Sequence, residues 1–215
     1  MEMTTQNIVI VGCGPGSPDY VSEAARRAVA GADVVVGSRR LVGLFPEHAG
    51  PVILVDAHVD ALLAQIDALR RSGRNVAVLV SGDPGLFSLS SRIVKRFGVA
   101  ACRVIPAVSS VQAAFARLGL DWSDARIESA HGRTPPSTGE DLSRCDKIAV
   151  LVGGRPALDW AAATCAALES THAAFLAENL TLPEERVCEV SPGQLAAADP
   201  AALSVVVFVR RSLLS

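Results

Sequence analysis

The chain has 215 residues, half of them hydrophobic, and its 20 basic and 22 acidic side chains leave a formal net charge of −2. That balance excludes the basic footprint of a nucleic-acid binder, and the apolar share calls for a substantial core in one large domain or two small ones. Five scattered cysteines, Cys13, Cys102, Cys145, Cys165 and Cys188, include no CxxC pair, which speaks against a disulfide framework or zinc site and for reduced thiols in the cytoplasm. The four histidines lack metal-ligand spacing, so no metal is expected, and His48, His58 and His172 are expected at the surface. There is no basic stretch followed by an apolar signal segment, and no apolar run approaches the ~20 residues of a membrane span.

In chain order, Asn7–Val11 reads as a first strand ending in Gly12-Cys13-Gly14-Pro15-Gly16-Ser17-Pro18-Asp19. Ser17 can cap a helix and Pro18 suits its first position, which predicts a helix from about Asp19 to Ala30 with Gly31 as its stop. The glycines invite a dinucleotide-binding reading, but Ser17 stands where G-x-G-x-x-G needs its third glycine. The next strand, Asp33–Gly37, ends in Ser38-Arg39-Arg40 where an acidic residue would hold the ribose. A rigid glycine-proline turn is the better reading. Val52–Val55 is a third strand, followed by a helix with Val59, Leu62, Leu63, Ile66 and Leu69 on one face, Arg70 and Arg71 in its last turn and Gly73 as its cap.

Val76–Val80 is a continuous β-branched-rich run, the pattern of a strand buried on both faces in the middle of a parallel sheet. It breaks into Ser81-Gly82-Asp83-Pro84-Gly85, and Leu86, Leu89, Ile93, Val94 and Phe97 then follow near helical spacing up to Gly98. Strand, glycine loop and helix together place a ligand at the carboxyl edge of an open α/β sheet. Asp83 offers one fixed carboxylate, for that ligand or for bracing its own loop. Cys102–Ile105 is the fifth strand, and Pro106–Ser110 turns into a helix carrying Val111, Ala114, Phe115 and Leu118. This alternation predicts a parallel sheet covered on both faces.

Beyond Leu118 the rhythm changes. Strands are expected at 125–130, 147–152, 173–177, 186–190 and 204–210, with a helix opening at Pro156 and running to about Leu168. The loop His131-Gly132-Arg133 leads into a segment rich in proline, serine and threonine. So little helix between the late strands predicts a mixed or antiparallel sheet. The fold class expected is therefore α/β in two domains, 1–113 with a mostly parallel sheet and 114–215 with a mixed one.

Five motifs, in this order, resemble the tetrapyrrole methylases. They are Gly12-Cys-Gly-Pro-Gly16, Ser81-Gly-Asp-Pro-Gly85, Val108-Ser-Ser110, Ser129-Ala-His-Gly-Arg133 and Glu178-Asn-Leu-Thr-Leu-Pro-Glu-Glu-Arg186. The last two are similar to the branch that methylates carbon 5 of a precorrin, the cobalt-precorrin-7 or precorrin-6Y methyltransferases. The resemblance implies S-adenosylmethionine as cofactor, bound in a cleft between the two domains. It assigns the cofactor to Gly82, Asp83, Pro84, Leu86, Phe87, Ser109, Ser110, Leu151, Val152, Ala177 and Glu178. The tetrapyrrole substrate is fringed with carboxylates, so Arg39, Arg40 and Arg133, each expected in a loop after a strand, are candidates to bind it beside Gly14 and Pro15. His131 is the candidate for moving a proton. Helix capping for the serines and sheet core for Leu151 and Val152 are the plainer alternatives. Ala107 and Thr181 stand where relatives often have glycine, which implies local changes in backbone geometry.

The activity implied is C-methylation in cobalamin synthesis at carbon 5. Rival readings are another ring position, such as that of uroporphyrinogen III, a ribosomal RNA methylase, a dinucleotide-binding oxidoreductase and a non-catalytic ligand-binding module. Some relatives carry a further domain that methylates carbon 15 and removes an acetate carboxyl. This chain has no room for it, so a separate protein is expected to perform that step unless the chain is half of a longer one. A cytoplasmic homodimer without membrane or nucleic-acid partners completes the expectation.

Overall fold

A computed structural model describes residues 7–55, 58–199 and 204–214. The chain divides into two compact units, Met1–Ser109 and Ser110–Ser215.

The N-terminal unit is a five-stranded sheet of β1 (Ile8–Gly12), β2 (Val34–Gly37), β3 (Val52–Leu54), β4 (Val76–Val80) and β5 (Cys102–Ile105). All pairings are parallel, in the order β3-β2-β4-β1-β5. The helices between the strands are α1 (Glu23–Ala30), α2 (Arg39–Val42), α3 (Val59–Arg71) and α4 (Ser90–Phe97). Alternate side chains serve opposite faces. Ile8, Ile10, Val76 and Val78 pack with Leu62, Leu63 and Ile66 of α3, whereas Val9, Val11, Ala77 and Leu79 pack with Ala25, Ala28 and Val29 of α1. Both central strands are buried throughout, as the unbroken apolar runs predict. From β1 the chain crosses toward β3, and from β4 it crosses toward β5, so the carboxyl ends of these two neighbours form the switch point where open α/β sheets take ligands.

The C-terminal unit holds α5 (Ser110–Leu118), β6 (Arg126–Ser129), α6 (Gly139–Leu142), β7 (Lys147–Val152), α7 (Arg155–Leu168), β8 (His172–Glu178), β9 (Arg186–Val190), α8 (Pro192–Ala197) and β10 (Ser204–Arg210). The sheet order is β6-β7-β10-β8-β9, with β6 and β7 parallel and the remaining pairs antiparallel. Leu158, Ala161, Cys165 and Leu168 of α7 close over Ile148, Val150, Leu176, Val206 and Phe208, and α5 packs against β10. The mixed sheet predicted for this half is present. At its base the buried Lys147 ammonium pairs with Asp121 at 2.9 Å and with Asp124, fixing the approach to β6.

Several local expectations are corrected. The first helix begins at Glu23, because Ser22 accepts the Ala25 amide at 3.1 Å and is the true cap. Ser17 caps only the 3₁₀ turn Pro18–Tyr20. Leu86 and Leu89 precede α4, which starts at Ser90. Arg39 and Arg40 lie in the short helix α2 rather than a loop, since Ser38 accepts the Leu41 amide and starts a turn. His172 is 2% exposed rather than at the surface. Its ring lies between Thr171 Oγ1 and the Cys145 carbonyl, each at 2.8 Å, and burial lowers its pKa from the ordinary 6.5, which keeps it neutral.

Candidate active site

In the N-terminal unit the turns after β1 and β4 are joined by backbone. The Gly82 amide donates to the Gly14 carbonyl at 2.9 Å and the Cys13 amide to the Val80 carbonyl at 3.0 Å, and Gly14 and Gly82 form an isolated antiparallel bridge. Both glycines are left-handed, with φ of 75° and 63°, a backbone that side chains disfavour. Gly12 is required for a different reason. A Cβ there would stand 2.7 Å from Pro84 Cδ and 2.8 Å from the Ala107 Cβ. Pro15 and Pro84 are buried within this packing.

Asp83 ties in the third turn. One carboxylate oxygen accepts the Gly85 amide at 2.8 Å and the other the Ala107 amide at 3.0 Å, reaching from the β4 turn to the turn after β5. Both oxygens accept backbone amides, so Asp83 braces these turns. Arg40 Nη2 donates to Ser81 Oγ at 3.0 Å, bringing α2 to the same edge. Desolvation lowers the Arg40 pKa from its ordinary value, yet a guanidinium stays charged at neutral pH. Arg39 is exposed and no contact joins it to these turns among the described hydrogen bonds and ion pairs. Cys13, fully buried, has its thiol pushed up to about 12 by burial, so it remains protonated and is no nucleophile. Beyond the braced turns stand apolar side chains open to solvent. Phe87 is 49% exposed and left-handed at φ 46°, and Val108 is 37% exposed. Leu86 is half-buried beside Phe87, and Ser109 is buried.

In the C-terminal unit the candidates lie at the ends of β6, β7 and β8. Ala130 extends the β6 pairing by donating to the Leu151 carbonyl at 2.9 Å, and His131 follows, exposed. Its ring packs against Gly153, where a Cβ would fall 2.0 Å from Nδ1. Arg133 Nε donates back to the Ser129 carbonyl at 3.1 Å, curling this loop on itself. Val152 and Ala177 are 3% and 1% exposed, so their side chains belong to the sheet interior, while Leu151 is half-buried. The Glu178 carboxylate is held by Arg186 across the β8–β9 pair. Ser110 is the first residue of α5.

Three features escaped the sequence: the Asp83 tie to Ala107, the Arg40–Ser81 contact and the seat that Gly153 gives His131. Only the Gly153-Gly154 pair carried a signal, as two adjacent glycines closing an apolar strand. Thr181 proves left-handed at φ 71°, which explains in backbone terms why glycine suits that position.

A parallel sheet whose switch-point turns are locked to one another, followed by a mixed five-stranded sheet, defines a two-unit α/β protein. Residues 7–196 match the Tetrapyrrole (Corrin/Porphyrin) Methylases, and the chain belongs to that family. It is 33% identical over 181 residues to the cobalt-precorrin-7 C(5)-methyltransferase of Salmonella typhimurium, covering 84% of this chain and 88% of that one. Its fold is similar to that of the precorrin-6Y methylase from Archaeoglobus fulgidus, with a TM-score of 0.72, 24% identity and coverage of 96% and 98%. A uroporphyrin-III C-methyltransferase from Thermus thermophilus, solved with S-adenosyl homocysteine, gives a TM-score of 0.75 at 22% identity, covering 94% and 96%.

Proposed function

We propose that the chain is an S-adenosylmethionine-dependent methyltransferase of cobalamin synthesis, acting on carbon 5 of a precorrin or cobalt-precorrin. The observation that carries the ring position is the 33% identity, over most of both chains, to a relative named for that reaction. The site supports the cofactor class. Locked turns at a switch point give a rigid floor, and exposed Phe87 and half-buried Leu86 offer the apolar surface a nucleoside needs. When bound, the cofactor supplies an electrophilic methyl group on its sulfonium.

The protein's share is positioning and exclusion of water, because an electron-rich macrocycle is its own nucleophile. On this reading Gly82, Pro84, Leu86 and Phe87 hold the cofactor, and Asp83 serves by fixing them. Ser109 and Ser110 contribute through hydroxyls or amides, and Leu151, Val152, Ala177 and Glu178 through strand ends. Backbone is the available part of Val152 and Ala177, whose side chains are buried. Arg40 and Arg133 meet substrate carboxylates, with Arg39 as the third candidate, and Gly14 and Pro15 line the floor. His131, exposed beside Gly153, takes the proton that the methylated ring carbon loses as the macrocycle restores its conjugation. The reading includes a homodimer in the cytoplasm and a separate protein for the carbon-15 step.

The test is incubation with S-adenosylmethionine and each of three acceptors: cobalt-precorrin-7, its cobalt-free counterpart and uroporphyrinogen III. A single added methyl, located at carbon 5 by carbon-13 labelling, is expected with one of the first two. Methylation of uroporphyrinogen alone would refute the ring position. Titration with S-adenosylhomocysteine, with NAD for comparison, tests the cofactor by itself.

A further inference from the structure

The turn between β8 and β9 carries two left-handed residues with side chains, Asn179 at φ 51° and Thr181 at φ 71°. Asparagine adopts this conformation readily, but a β-branched threonine resists it and needs its surroundings to impose it. The imposing group is Glu185. Its Oε2 accepts the Thr181 amide, and its two oxygens together receive a forked contact from Arg117, with Nη2 to Oε2 at 3.1 Å. Arg117 lies near the end of α5, the helix that Ser110 opens. The turn is closed further by the Leu182 amide on the Asn179 carbonyl at 2.9 Å and the Glu185 amide on the Leu182 carbonyl at 3.0 Å. At its start, Arg186 holds Glu178.

We propose that Glu185, clamped by Arg117, is a positioning residue for the cofactor. It holds Thr181 in the left-handed form and so fixes where the end of β8, Ala177 to Leu180, stands relative to the start of α5. This rests on the cofactor reading above, since Ala177, Glu178 and Ser110 are its candidate contacts. Two features distinguish the clamp from a general stabilising pair. Its side chains are 23% and 38% exposed, so truncating them opens no cavity in the core. It also acts on the single residue of the turn whose backbone is strained for its type. The forked arginine contact holds the Glu185 carboxyl below its usual 4.5, so the clamp is charged at neutral pH.

The experiment measures S-adenosylhomocysteine affinity and melting temperature for the parent, Glu185→Ala, Arg117→Met, Thr181→Gly and the Glu185→Ala/Thr181→Gly double variant. Losing a charge-assisted bond to a strained amide should weaken binding in Glu185→Ala and Arg117→Met on the order of tenfold. Glycine takes φ 71° without help, so the double variant should recover parental affinity to within about twofold. Hydrogen exchange at the Thr181 amide, slow in the parent and fast in Glu185→Ala, reads the clamp without ligand. Unchanged affinity in Glu185→Ala with a lowered melting temperature, or no recovery in the double variant, overturns the proposal while leaving the cofactor reading intact. Failure of the parent itself to bind sinks that reading and this inference with it.

Discussion

The two units position their candidate groups by different means. In the N-terminal unit the turns after β1, β4 and β5 are held by backbone hydrogen bonds, tight glycine contacts and one aspartate that accepts two backbone amides. In the C-terminal unit the comparable loops are held by side-chain pairs, Arg117 with Glu185 and Arg186 with Glu178, or by a ring resting on a glycine. Backbone locks are rigid but intolerant of any added atom. Side-chain clamps tolerate substitution at intermediate cost.

The largest effect expected is at Gly12. Valine there would drive atoms into Pro84 and Ala107, two rigid neighbours, and should destabilise the N-terminal unit by about 3 kcal/mol and abolish S-adenosylhomocysteine binding. Urea denaturation and calorimetry check both, and a variant that binds normally would break the claim of intolerance. Asp83→Asn comes next. An amide group can satisfy only one of the two backbone N–H groups and sets a donor against the other, which should cost about 1–3 kcal/mol. The affected affinity is that for cofactor, with substrate KM changed little.

Gly153→Ala tests the other unit. Because the atom displaced is an exposed ring free to rotate away, the melting temperature should hold while methyl-transfer kcat falls about tenfold, as expected when a proton-moving group is shifted. An unchanged kcat would remove His131 from the chemistry. The smallest effect is in acid. Lys147 holds the Asp121 carboxyl down to about 2 from its ordinary 3.8. A depressed folded-state value means the contribution is fully present above pH 3.8 and is lost as pH falls through about 2. Urea midpoints of the parent and Asp121→Asn should therefore differ by a constant amount at neutral pH and converge toward pH 2.

The same contrast governs what the sequence disclosed. Val76–Val80, Cys102–Ile105, Lys147–Val152, Arg186–Val190 and Ser204–Arg210 are strands with the bounds that their apolar runs predict. Glycine-proline turns announce themselves too, since their constraints are local. Competing caps were harder: Ser17 and Ser22 both qualify, and hydrogen bonding chose the second. His172 misled because its partners, Thr171 and the Cys145 carbonyl, satisfy a buried ring that spacing cannot show to be enclosed. Arg117 and Glu185 lie 68 positions apart, and only the antiparallel return of β8 and β9 brings a clamp into being.

The bridge between Gly14 and Gly82 has a consequence for how this edge can change over generations. Two turns sharing a rung are inherited as one object. A length change in either must be matched in the other before the pair can close again. Grafting one turn from a distant relative should yield a poorly closed edge, while grafting both together with the partner of Asp83 should restore it. Diversity in what the edge accepts has therefore to come from the side chains standing above it, Arg40 and Phe87 among them.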